Sequence, residues 1–250
     1  MTKIRTAFAG FKGRMGAVIL PGLEREPDVE VVARIEQGDD LVAACRAARA
    51  EVVVDFTVPA AASSNARKIL EAGCHGVVGT TGFTEGDLVD LDARARAAGR
   101  ALLVAPNFAL GVLLMIRFAA EAARWFPRSE IVEIHHDGKL DAPSGTALRT
   151  AEAVGAAGSG ATRDAAKASA DARTDARGGL HAGVPVHSVR LPGFLAHQEV
   201  MFGGAGEVLT IRHDAFSREC YLPGVLLGVR AVRGRVGLLR GLESVLPPRT

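Results

Sequence analysis

The chain has 250 residues, 48% of them hydrophobic and 23% charged, with a formal net charge of +2. Such a chain can bury one large core or two modest ones. The near balance of charge excludes a strong field directed at nucleic acid or a membrane surface, and aromatic residues, 5% of the total, do not interleave with basic stretches as in single-strand binders.

The sequence opens on the strand-like run Ile4–Ala9, with no apolar segment behind a charged start, and no stretch reaches the ~18 apolar residues of a membrane span. We therefore expect a cytoplasmic protein without a signal peptide. Cys45, Cys74 and Cys220 are widely spaced, which suits a reducing compartment and three small hydrophobes better than disulfides or metal ligands.

Gly10–Gly16 (GFKGRMG) follows the first strand, and a helical apolar pattern through Val18, Ile19, Leu20 and Leu23 comes next. Val29–Ile35 reads as a second strand and Val52–Phe56 as a third. A helix over Ala60–Ala72 leads to a fourth strand, Gly76–Gly79; a helix over Glu85–Ala98 leads to a fifth, Ala101–Ala105. This alternation indicates βαβ units on a doubly wound, Rossmann-like parallel sheet, an α/β domain over residues 1–106.

Beyond Pro106 the pattern changes. Leu110–Phe126 reads as a long apolar helix, Ile131–His135 as a strand and Ser144–Val154 as a helix with Ser144 as its cap. Gly155–Gly179, rich in Ala and Gly, reads as a frayed helix end and a loop. Val186–Leu191, Gln198–Phe202 and Val208–His213 read as strands. Residues 107–218 should thus form an α+β domain with a mixed, largely antiparallel sheet. Pro223–Val232 and Val236–Val245 read as closing helical segments that return to the first domain.

The glycines at 10, 13 and 16 only partly match a dinucleotide fingerprint, but their place between strand and helix suits a pyrophosphate held on backbone N–H groups. Glu36 ends the second strand about 20 residues on, where a carboxylate accepts from ribose hydroxyls. Lys12 and Arg14 lie near enough for a 2′-phosphate, so NADH and NADPH both remain open. Gly79–Thr81 and Ala105–Phe108 follow two further strand ends, the edge at which open parallel sheets bind ligands.

Glu133–Ala147 (EIHHDGKLDAPSGTA) carries the most chemistry. His135, His136 and Lys139 are three titratable cations close in sequence. Ser144-Gly145-Thr146 at a helix start offers hydroxyls and unpaired N–H groups to a carboxylate. Histidine is the usual general acid near neutral pH. Adjacent histidines on a strand point to opposite faces and no third ligand has matching spacing, so no metal site is expected.

In order, GFKGRMG, the DFT of Asp55–Thr57, GTTGF, APNF, EIHHDGKLDAPSGTA and the run His187–Arg218 resemble dihydrodipicolinate reductase (4-hydroxy-tetrahydrodipicolinate reductase) of lysine and diaminopimelate biosynthesis, over essentially the whole chain. The resemblance implies reduction of a cyclic dicarboxylate with a hydride from NADH or NADPH. It implies His135 as proton donor and Lys139 as assisting acid and substrate ligand. His136, Ser144, Gly145, Thr146 and Arg218 would bind substrate. Gly10, Phe11, Lys12, Gly13, Arg14, Met15, Glu36, Gly79, Thr80, Thr81, Ala105, Pro106, Asn107 and Phe108 would bind the cofactor. Homotetramers assembled through the C-terminal sheet are also implied. Gln37 departs from the Arg that some relatives carry after the ribose-binding acid. The competing expectations are another NAD(P)-dependent imino- or amino-acid oxidoreductase and a non-catalytic NAD(P)H sensor, which would have no need of the polar run.

Overall fold

The computed structural model describes residues 2–158 and 177–246. The chain divides into two units: one takes it to Leu110 and again from Arg218, the other is Gly111–Ser217.

The first unit begins β1 (Ile4–Ala9), α1 (Gly16–Arg25), β2 (Val29–Ile35), α2 (Leu41–Ala47), β3 (Val52–Asp55) and α3 (Pro59–Glu71). It continues β4 (His75–Val78), α4 (Glu85–Ala97) and β5 (Ala101–Val104). Every residue of β3 is buried, as expected of a strand inside a parallel sheet covered on both faces. Local chemistry sets the helix starts. Pro59 stands in the first turn of α3, Asp40 caps α2, and Thr84 forms a capping box with Asp87 at α4. The sequence pattern alone had not singled out α2. It is short, and only Leu41 and Cys45 are buried from it.

The second unit runs α5 (Leu110–Ala122), β6 (Arg128–His135), α6 (Gly145–Ala157), β7 (Gly179–His181), β8 (Val184–Arg190), β9 (Ala196–Gly204) and β10 (Glu207–Ala215). Its sheet has the order β10-β9-β6-β8-β7. Among the described strands only the β6–β8 pair is parallel, so the sheet is mixed and largely antiparallel, as expected. Met115, Ala119, Ile131, Ala147, Val154, Val200 and Phe202 share one core cluster. Helix α5 ends at Ala122 and does not run to Phe126. Most of the Ala-rich stretch Gly155–Gly179 lies outside the described residues.

The chain then returns to the first unit through α7 (Leu222–Val232) and β11 (Gly237–Arg240). The six-stranded order is β11-β5-β4-β3-β1-β2, all parallel. Here the helical expectation for Val236–Val245 is wrong. Gly237–Arg240 pairs in parallel with Ala101–Val104, and a 3₁₀ turn over Leu242–Val245 follows. A segment this short takes its conformation from the open edge of β5, not from its own apolar period. Cys45 and Cys74, distant in sequence, are free thiols within one buried cluster. Among the described residues no helix is long and apolar enough to cross a membrane.

Candidate active site

Within the first unit, the segments expected to bind a dinucleotide all leave the carboxyl ends of adjacent parallel strands. The order of strands across the sheet reverses between β1 and β3, the kind of switch point at which open α/β sheets bind ligands. Gly10 has φ +83°, and a Cβ there would meet the Phe56 carbonyl at 2.8 Å. A Cβ on Gly16 would lie 2.4 Å from the Phe11 oxygen and 2.5 Å from that of Gly10. The turn therefore closes tightly only with glycine at both positions. No side chain caps the N-terminus of α1, where Met15 stands, and its first turn has no acidic residue. That end of the helix suits an anion.

Glu36 reaches back over this turn, where its Oε1 accepts the Lys12 N–H at 2.6 Å. Lys12 and Arg14 are exposed, and the Lys12 ammonium lies 5.5 Å from the centre of the Phe11 ring. At the next strand ends the fit is equally close. A Cβ on Gly79 would stand 2.0 Å from the Phe56 ring. Thr80 is buried and Thr81 exposed. Ala105 and Phe108 are buried, and the Phe108 ring packs edge-on against Phe56 at 5.6 Å. The Phe108 side chain is thus part of the core, and only its neighbours Pro106 and Asn107 are open to solvent. Asn107 Oδ1 accepts the Ala109 N–H at 2.8 Å.

Sequence reasoning noted Asp55 in the DFT motif but gave no role to this residue, which organises this edge. It is fully buried at the end of β3. One oxygen accepts the Thr57 N–H at 2.8 Å and its hydroxyl at 2.6 Å, and the Thr80 hydroxyl at 3.4 Å; the other accepts Asn65 Nδ2 at 3.0 Å. The signal was a carboxylate closing an otherwise apolar strand.

In the second unit, the polar run Glu133–Ala147 spans the end of β6 and the start of α6. Ser144 caps α6, its Oγ accepting the Ala147 N–H at 3.1 Å. That hydroxyl is therefore committed to its own helix. Gly145 is exposed, with open space where a Cβ would stand. Lys139 Nζ donates to both oxygens of Asp141, at 2.7 and 2.8 Å. His136 is partly exposed. Arg218 opens a 3₁₀ turn, Arg218–Tyr221, in the stretch that belongs to the first unit. Among the described residues no cluster of His, Cys, Asp and Glu could hold a metal ion.

The residue that sequence reasoning left without a role is Glu133. Burial alternates along β6, with Ser129, Ile131 and Glu133 buried in turn, so a carboxylate occupies a core position two residues before His135. The parallel register places Ser188 opposite Glu133 and Arg190 opposite His135. Glu133 receives Arg190 through both of its oxygens, at 2.8 and 3.0 Å, and bonds His135 Nδ1. Burial alone would raise the Glu133 carboxyl, but hydrogen bonds from His135, Arg190 and Ser188 outweigh it and hold the group down at about 2.

Two family models match the chain in turn, and the second runs past Ser217 through the stretch that returns to the first unit. The family model "Dihydrodipicolinate reductase, N-terminus" matches residues 4–108, and "Dihydrodipicolinate reductase, C-terminus" matches 111–246. The 4-hydroxy-tetrahydrodipicolinate reductase of Moorella thermoacetica is 46% identical, over 97% of this chain and 98% of its own length. That of Streptomyces coelicolor is also 46% identical, over 98% and 99%. A dipicolinate-bound dihydrodipicolinate reductase from Paenisporosarcina sp. TG-14 superposes with a TM-score of 0.88 at 34% identity, covering 98% of this chain and all of that one. The chain belongs to the dihydrodipicolinate reductase family.

Proposed function

We propose that this chain reduces 4-hydroxy-tetrahydrodipicolinate to tetrahydrodipicolinate in lysine and diaminopimelate biosynthesis, with His135 as the proton donor. Bound NADH or NADPH supplies the hydride. The reaction adds one hydride and one proton to the ring and releases the hydroxyl, with a proton from the neighbouring ring carbon, as water, so the chain must hold a dicarboxylate and deliver a proton. The first unit holds the cofactor: Gly10, Gly13 and Gly16 let backbone approach the pyrophosphate, and Glu36 turns to the ribose. Lys12 and Arg14 leave room for a 2′-phosphate.

One observation carries the reading of the second unit. A single buried carboxylate, that of Glu133, bonds His135 Nδ1 and accepts the Ser144 N–H at 3.2 Å. The proton donor and the helix start that would receive a substrate carboxylate are therefore tied to one group. Gly145 and Thr146 present backbone at that helix start, and His136 and Lys139 add donors for the two carboxylates. A positioned proton donor contributes typically ~10²–10⁴-fold in rate. Arg218 is assigned to the substrate with these residues.

The enzyme acts in the cytoplasm and as a homotetramer in this reading. Strand β10 supports the assembly: it is one of the two edges of the second sheet, and Val208 and Leu209 are exposed along it.

The test is a coupled assay in which substrate is generated from pyruvate and aspartate semialdehyde and loss of NADH or NADPH absorbance is followed. Substrate-dependent oxidation is the expected result. Oxidation of neither cofactor would overturn the reading in favour of a protein that binds the dinucleotide without turning it over.

A further inference from the structure

A buried carboxylate is a poor choice where packing is the only task, since apolar residues of similar volume fill the same space without its desolvation cost. Glu133 has no exposed surface, yet both of its carboxylate oxygens are hydrogen-bonded. Oε1 accepts Arg190 Nη2 at 2.8 Å and the Ser144 N–H at 3.2 Å. Oε2 accepts Arg190 Nη1 at 3.0 Å and bonds His135 Nδ1. Arg190 Nη2 donates in addition to the Asp141 carbonyl at 2.7 Å, while its Nε is buried without a hydrogen-bond partner. The guanidinium is thus aligned to grip this carboxylate at the expense of one of its own donors.

We propose that Glu133, clamped by Arg190, is the positioning residue of the site: its carboxylate takes the Nδ1–H of His135 and so fixes the ring's tautomer and rotation, with Nε2 as the nitrogen that delivers the proton. The inference rests on His135 being the proton donor. It follows from the bonding that no rearrangement separates successive turnovers. Once the proton has left Nε2, the ring remains as the Nδ1–H tautomer, which a carboxylate at Nδ1 favours, and Nε2 is free to take a proton from solvent. Arg190 serves two ends of the site, because its bond to the Asp141 carbonyl also holds the turn that carries Lys139.

The variant that separates positioning from packing is Glu133→Gln. The amide can still accept from Arg190 and Ser144 through its oxygen, but its NH₂ faces His135 and turns Nδ1 into an acceptor. The expected result is a fall in kcat of about 10²-fold with little change in KM or in the Kd for NADH. Nitrogen-15 NMR of the neutral His135 ring should report Nδ1–H in the wild type and Nε2–H in the variant. The wild-type spectrum alone decides the matter if the variant does not fold: a wild-type ring found as Nε2–H overturns the proposal. So does a Glu133→Gln enzyme with unchanged kcat when His135→Gln has lost activity. Unchanged kcat in His135→Gln instead overturns the assignment of the proton donor on which the proposal rests.

Discussion

Lys139 grips Asp141 through both carboxylate oxygens, with Nζ at 2.7 Å from Oδ1 and 2.8 Å from Oδ2, on a turn where the aspartate side chain is 61% exposed. An ion pair so open to water is weak. A substrate carboxylate arriving at the start of α6 can therefore take the ammonium from Asp141 at small cost. Lys139→Ala should lower kcat and raise KM together, reducing kcat/KM by roughly 10²-fold. The Kd for NADH, read by fluorescence titration, should be unchanged. A defect confined to cofactor binding would contradict the assignment.

Gly16→Ala tests the dinucleotide turn. The added methyl would press on two backbone oxygens, at 2.4 and 2.5 Å, neither of which can swing aside. Overpacking of this kind costs about 1–3 kcal/mol, so NADH affinity should fall by tenfold or more as the turn opens. Under the proposed function, binding of a dicarboxylate, measured by calorimetry, should persist, because none of the residues proposed to hold it lies in that turn.

Acid stability should depend on Glu133. Its folded-state carboxyl lies at about 2, against an ordinary value of 4.5. A depressed acid stabilises the fold above its ordinary value and loses that contribution as pH falls through the folded one. The window therefore runs from about pH 4.5 down to about pH 2, and the loss is on the order of 3 kcal/mol. Urea unfolding near neutral pH and at about pH 3 should show a steeper loss for the wild type than for Glu133→Gln. Parallel losses would contradict the prediction.

Val208 is 71% exposed on the edge strand β10. If that edge carries the assembly, Val208→Lys should shift the mass measured by light scattering from tetramer to smaller species without unfolding the chain. An unaltered tetramer would move the interface elsewhere.

Much of the fold is legible in the sequence because its signals are local. The strand–helix alternation up to Ala105, the glycine turn after β1 and the Ser144 cap each depend on residues within a few positions of one another. The two failures in the first unit are equally local in origin. Helix α2 is a short segment with two buried residues, and β11 has an apolar run too short to have a period of its own.

The sequence by itself determined that His135, His136, Lys139 and the Ser144–Thr146 helix start stand together, since they are neighbours along the chain. What only the tertiary structure decided is how they are held. Arg190 lies far along the chain from Glu133, and no local pattern links them; they meet because β6 and β8 pair in parallel, in a register that sets Arg190 beside His135. A sequence period reports which face of a strand is buried, and alternation from Ile131 puts Glu133 on that face, although no role was read from it. The partner that makes such a burial tolerable is chosen by strand pairing, which is a property of the folded sheet.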